Sequence, residues 1–359
     1  MNKDISVELS RVIGCLMVIG IHVTLSICHD GYIDMSRLTF ACVVADAVGI
    51  FWLILGFFLF KNTSYRRLLK KTAINIGIPT VVFSCFAFFF GEWIVEGVSL
   101  RESIVHTPGE YLDVLKGLMK WNSPVKYGAH LWYNYVYILI ILIFPVLKSF
   151  VQYLNEKVKR EQIFMTATFG AFVLNDITRN QLFEFSHHSI NALIPAAIIV
   201  LWGYILYKHK ETLATQRNLI LSVLTFIGLN VFRIILQFYS YRMGTGNHIM
   251  FWYSGIGLLC ASCIVIFAFC IGDKLQSTNL IQKGILFLSE HTFNIYLVHF
   301  FVIYILNRLA FPNAIGVYVQ SDVLFMFTHM ITVFVISLMV SMVVKEIGKI
   351  VGLLVHRRF

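Results

Sequence analysis

The chain has 359 residues, 58% hydrophobic and only 13% charged, where a soluble domain usually carries about 25% charged residues. The shortage of charge runs from end to end, which excludes an ordinary water-soluble enzyme and any appended soluble domain. The net charge of +10 would suit nucleic acid, but membrane proteins collect Lys and Arg in cytoplasmic loops, so no nucleic-acid partner is expected.

Apolar runs of roughly 20 residues, the length that spans a hydrocarbon core of about 30 Å, recur along the chain. The first, 7–28, resembles a secretory signal. Arg11 and His22 interrupt it and no small-x-small cleavage site follows, so it reads as a retained helix. The second, 39–60, holds Asp46 near its start. A basic cluster of Arg66, Arg67, Lys70 and Lys71 precedes the third, 73–91. The segment 92–129, rich in Pro, Gly and mixed charge, forms a long loop on the outer face. Helices are then expected at 130–150, 162–174, 191–207, 218–238, 251–271, 284–306 and 323–344. The run 162–174 is short and holds Thr and Gln, and the remaining connections are brief. Cys260 and Cys263 have CxxC spacing but no His or Cys partners nearby, so they read as small core residues and no metal is expected. His187 and His188 fall in an outer loop and read as solvated.

The positive charges test this count. With ten helices and an inner N-terminus, every short inner connection carries at least two Lys or Arg, while each short outer one carries one. The reading is an all-α, polytopic membrane protein, a single domain over 1–359 with about ten transmembrane helices and both termini cytoplasmic.

Charged groups in mid-membrane are costly and mark function or a specific partner. Arg11 and His22 stand eleven residues apart, almost three helical turns, so they share one face about 16 Å apart along the axis. His130, Arg233 and His299 fall at the depth of His22 when helix directions alternate, and Tyr296 sits one turn from His299. Asp46 lies in the same layer and can pair with Arg233 or a histidine. Four ionisable groups at one depth point to a polar cavity opening outward, with a static hydrogen-bond network as the alternative. No Walker loop, GxSxG elbow, HExxH or dinucleotide fingerprint is present.

These residues lie in segments that resemble the membrane acyltransferase-3 family, which includes bacterial polysaccharide O-acetyltransferases. ELSRVIGCLMVIGIH carries the Arg–x10–His signature. FWLILGFFLF (51–60), HLWYNYVYILIILIFP (130–145) and SEHTFNIYLVH (289–299) resemble later family segments, in family order. Leu55 departs from the usual Ser before Gly56, and Asp46 falls where some members carry Arg. Thr72 and Asn75 replace a basic pair ahead of Pro79, for which Lys70 and Lys71 can substitute.

The resemblance implies a bacterial plasma-membrane enzyme that moves an acyl group, commonly acetyl, from cytoplasmic acyl-CoA to a hydroxyl of a cell-surface or lipid-linked glycan. Acetyl-CoA would be a co-substrate and not a resident cofactor. Arg11 and the cluster Arg66, Arg67, Lys70 and Lys71 would meet its phosphates, and His22 would be the general base. His130, Arg233, Tyr296 or His299 would stabilise the oxyanion or orient the acceptor. Transport of a small solute such as an amino acid is the competing expectation, and a non-catalytic scaffold a third.

Overall fold

The structure is a computed structural model that describes residues 3–29, 32–62, 64–105, 108–121, 126–178, 189–244, 252–275 and 279–356. His187 and His188 lie outside them. Helix α1 (Ile5–Val23) starts where the Asp4 side chain accepts from the Ser6 amide, satisfying one of the amides left open at a helix start. A short hairpin, β1 (Cys28–His29) with β2 (Tyr32–Ile33), leads to α2 (Met35–Val44) and α3 (Ala47–Leu59), which together form one apolar span broken at Ala45–Asp46. Helices α4 (Tyr65–Thr72) and α5 (Ile78–Gly91) are joined and extended by π-helical turns at Ala73–Gly77 and Glu92–Glu96. The loop expected over 92–129 instead contains α6 (Leu100–Ile104) and α7 (Pro108–Met119).

A 3-10 turn at Lys126–Leu131 opens α8 (Trp132–Leu142), which bends by 65° into α9 (Phe144–Asn155). Pro145 lies in the first turn of α9, where it supplies no amide to continue the ladder from α8. There follow α10 (Val158–Ile177), α11 (Ser189–Lys208), the single turn α12 (Lys210–Leu213) and α13 (Gln216–Arg242). The chain then builds α14 (Gly255–Leu275), α15 (Asn279–Arg308), α16 (Phe311–Tyr318) and α17 (Asp322–His356).

Among the described residues, eight helices are long and apolar enough to cross a membrane, or nine with the bent pair α8–α9. Helix α10 covers the expected span 162–174 and is 20 residues long. It is not among the eight, and its ends carry Lys159, Arg160, Glu161 and Asp176. Helix α13 shows what surrounds the bundle. It exposes Ile220, Leu224, Ile227, Val231 and Phe232 while burying Asn230, Arg233, Gln237 and Ser240. That arrangement inverts the order of a protein in water and suits a hydrocarbon exterior. The chain is a multi-pass membrane protein.

Helix α1 is the hub, packing on α3, α14, α15 and α17. Helices α3 and α11 meet through facing glycines. A Cβ on Gly56 would fall 2.0 Å from the Val200 carbonyl oxygen, and one on Gly203 would fall 2.0 Å from that of Leu53. Only glycine lets two helix backbones approach so closely, and the contact fixes the wall of α3 that faces α1.

Candidate active site

Because α1 is helical without interruption from Ile5 to Val23, Arg11 and His22 do project along one face. A cavity of about 690 Å³ runs past both. Arg11, Lys61, Asn62 and Lys71 line it toward the end of the bundle that holds the N-terminus, and His22 and His130 line it at the other end. Tyr133, Asn134, Tyr137, Thr292 and Tyr296 add to its polar lining. A second cavity, about 550 Å³, begins on the far side of His22 among Thr24, Ser26, Ala45, Trp132, Tyr241 and Trp252. His22 and Trp132 border both spaces, so the imidazole stands at their junction.

The structure places the sequence-predicted residues in three groups. His22, His130 and His299 come together with Tyr296. The His299 ring centre is 5.3 Å from that of His22 and 4.9 Å from that of His130, and Tyr296 is 5.3 Å from His130. Phe300 covers the cluster, 4.8 Å from His22 and 5.1 Å from His130.

Arg233 stands apart, bound through two points to Asp46, and both side chains are fully buried. Its Nη1 also donates to the Cys42 carbonyl at 2.9 Å, an acceptor released where α2 breaks from α3. Neither residue lines either cavity.

Of the basic cluster, Lys71 lines the larger cavity, whereas Arg66, Arg67 and Lys70 are exposed and do not. Lys61 and Asn62, which sequence reasoning missed, take their place. The available signal was a Lys–Asn pair directly after an apolar helix. Glu8 was missed too. Buried one turn before Arg11, it accepts from Arg11 Nη1 at 2.9 Å and offsets part of its charge.

Backbone carbonyls only accept hydrogen bonds, and that fixes the donors in the histidine cluster. His130 Nε2 donates to the Leu297 carbonyl at 3.1 Å, and His299 Nδ1 to the Tyr296 carbonyl at 2.7 Å. The Tyr296 hydroxyl donates to the His130 carbonyl. A neutral imidazole has one N–H. Those of His130 and His299 are therefore committed, and each ring presents only a lone pair. With Arg233 held by Asp46, the four residues expected to steady an oxyanion all have principal donors engaged elsewhere. Among the described residues, the hydroxyls of Tyr133 and Tyr137 make no hydrogen bond and line the same cavity.

Among the described residues, no group of His, Cys, Asp and Glu is arranged to hold a metal ion. The cavity lining supplies an imidazole, hydroxyls and fixed positive charge, a set suited to acyl transfer by general base. No curated protein and no solved structure matches the chain. An acyltransferase-domain family matches residues 4–345, essentially its whole length, and the protein thus belongs to the acyltransferase-3 family and is a membrane acyltransferase.

Proposed function

We propose that the protein transfers an acyl group, acetyl in the first instance, from cytoplasmic acyl-CoA to a hydroxyl of a cell-surface or lipid-linked glycan across a bacterial plasma membrane. The observation that carries this reading is the position of His22 between two cavities, with Arg11 at the far end of the larger one. In this scheme α10 and the bent pair α8–α9 both cross the bilayer. That brings the crossings to ten and leaves both termini in the cytoplasm, as the positive charges of the connections favour.

The CoA phosphates then meet Arg11, Lys61 and Lys71, and the pantetheine arm lies along the apolar wall formed by Phe51, Leu55 and Phe58. The thioester reaches His22 from one side and the acceptor hydroxyl from the other. His22 removes the hydroxyl proton as the oxygen attacks the thioester carbon. The Tyr133 hydroxyl donates to the developing oxyanion. When the C–S bond breaks, the proton on His22 passes to the departing thiolate. Membership of an acyltransferase family favours this reading over solute transport.

The test is purified protein in nanodiscs with labelled acetyl-CoA, alongside mass spectrometry of surface polysaccharide from cells with and without the gene. His22→Ala inserts normally and loses acyl transfer. Full transfer by that variant, or a polysaccharide unchanged by deletion, would sink the proposal.

A further inference from the structure

Within the histidine cluster two buried nitrogens have no partner among the described residues, His299 Nε2 and His130 Nδ1. An unpaired buried acceptor costs stability, so a histidine kept only for packing is a poor choice at either position. The point is sharpest at 299. The bond of His299 to the Tyr296 carbonyl spans three residues of one helix, and a Ser or Thr hydroxyl makes the same bond without setting a second ring nitrogen among the other histidines. Nearby, the hydroxyls of Ser289 and Thr292 bond in this way to carbonyls three residues back.

His22 needs what His299 offers. A histidine acting as base must hold its N–H on the nitrogen turned away from the reacting hydroxyl, and in hydrolytic triads an acceptor behind the ring enforces this. Among the described residues, no carboxylate forms an ion pair or hydrogen bond with His22. Its ring neighbours are Phe300, which has no acceptor, and His299. Two imidazoles joined by an N–H···N bond of about 3 Å have centres about 5 Å apart. The observed separation is 5.3 Å with the planes tilted by 38°, and a small rotation of the His22 ring closes the bond.

We infer that His299 accepts a hydrogen bond from the His22 N–H through Nε2, so that the base is oriented by a second imidazole in place of a carboxylate. His299 is thus a positioning residue. It gains and loses no proton, and the proton taken from the acceptor hydroxyl stays on His22 until the thiolate receives it. The functional part of this inference rests on His22 being the base; the pairing itself does not.

Two variants of similar reach separate positioning from packing. His299→Gln keeps an acceptor near Nε2, and His299→Leu removes it. With acetyl-CoA as donor, H299L should lower kcat roughly a hundredfold at unchanged donor KM, and H299Q should recover a large part of that loss. Nitrogen-15 NMR of histidine-labelled protein in nanodiscs gives a readout independent of activity, with H22A assigning the signal. His22 should show a single tautomer in the native protein and in H299Q, and a mixture in H299L.

An unchanged His22 tautomer in H299L overturns the pairing, as does an H299Q no better than H299L in both readouts. A native protein inert toward acetyl-CoA whose His22 tautomer still depends on His299 would remove the acyl-CoA reading and uphold the pairing. His22-dependent turnover indifferent to residue 299 would do the reverse.

Discussion

Arg233 grips Asp46 through two bonds, Nη1 to Oδ2 at 2.9 Å and Nη2 to Oδ1 at 2.7 Å, at the break between α2 and α3. The pair ties α13 to a bend whose neighbours Ala41, Ala45 and Val48 line the smaller cavity. Removing one partner leaves the other charge buried and unpaired, which costs about 3–5 kcal/mol. Arg233→Met is therefore expected to lower the melting temperature in detergent sharply. The double variant Arg233→Met with Asp46→Leu should recover most of the loss, because an apolar pair leaves no stranded charge. A single variant that melts with the native protein would show that the ion pair does not hold the bend.

Much of this site was legible because helix periodicity is local. The spacing of Arg11 and His22 settles their common face whatever packs around them, and alternating helix directions bring His22, His130 and His299 to one depth. The same depth argument placed Arg233 in that cluster and could go no further. Depth says nothing of azimuth around the bundle, and Asp46 draws Arg233 toward α2 and α3. The tautomer of His130 was illegible for a related reason: it depends on where the Leu297 carbonyl of another helix lies, which only tertiary packing determines. The ten-helix count met its difficulty at α10, where length suffices but charged ends dilute the apolar run.

The larger cavity divides the basic residues on and before α4 into two groups. Lys61 lines it, with Nζ 4.5 Å from the Tyr207 ring centre and 5.2 Å from that of Phe58, a cation held in place over aromatic faces. Lys71 lines it as well. Lys61→Ala and Lys71→Ala should each raise the KM for acyl-CoA several-fold with little change in kcat, since both charges meet the phosphates equally in ground and transition states. Arg66→Ala, Arg67→Ala and Lys70→Ala should leave that KM near its native value. Steady-state kinetics over a range of donor concentrations checks the contrast. Equal effects from both groups would move the phosphate site out of the cavity and onto the exposed face of α4.

The oxyanion donor is the remaining chemical requirement, and elimination narrows it. His130, His299, Tyr296 and Arg233 have donors committed to backbone or to Asp46. Tyr133 lines the larger cavity with His22, and its ring is held 4.1 Å from that of Trp52 in a stacked arrangement and 5.9 Å from Tyr296. A hydroxyl on so fixed a ring needs little reorganisation when charge appears on the thioester oxygen, the condition under which one donor contributes about 10²–10³ in rate. Tyr133→Phe keeps the stack and removes only the hydroxyl. It should lower kcat by about that factor, leave donor KM unchanged and melt with the native protein. Tyr137→Phe, one turn further along α8, should cost far less. Native kcat in Tyr133→Phe would exclude Tyr133 as the donor, because the cations Arg11, Lys61 and Lys71 line the cavity toward its other end, away from His22, and would leave the Tyr137 hydroxyl to fill the role.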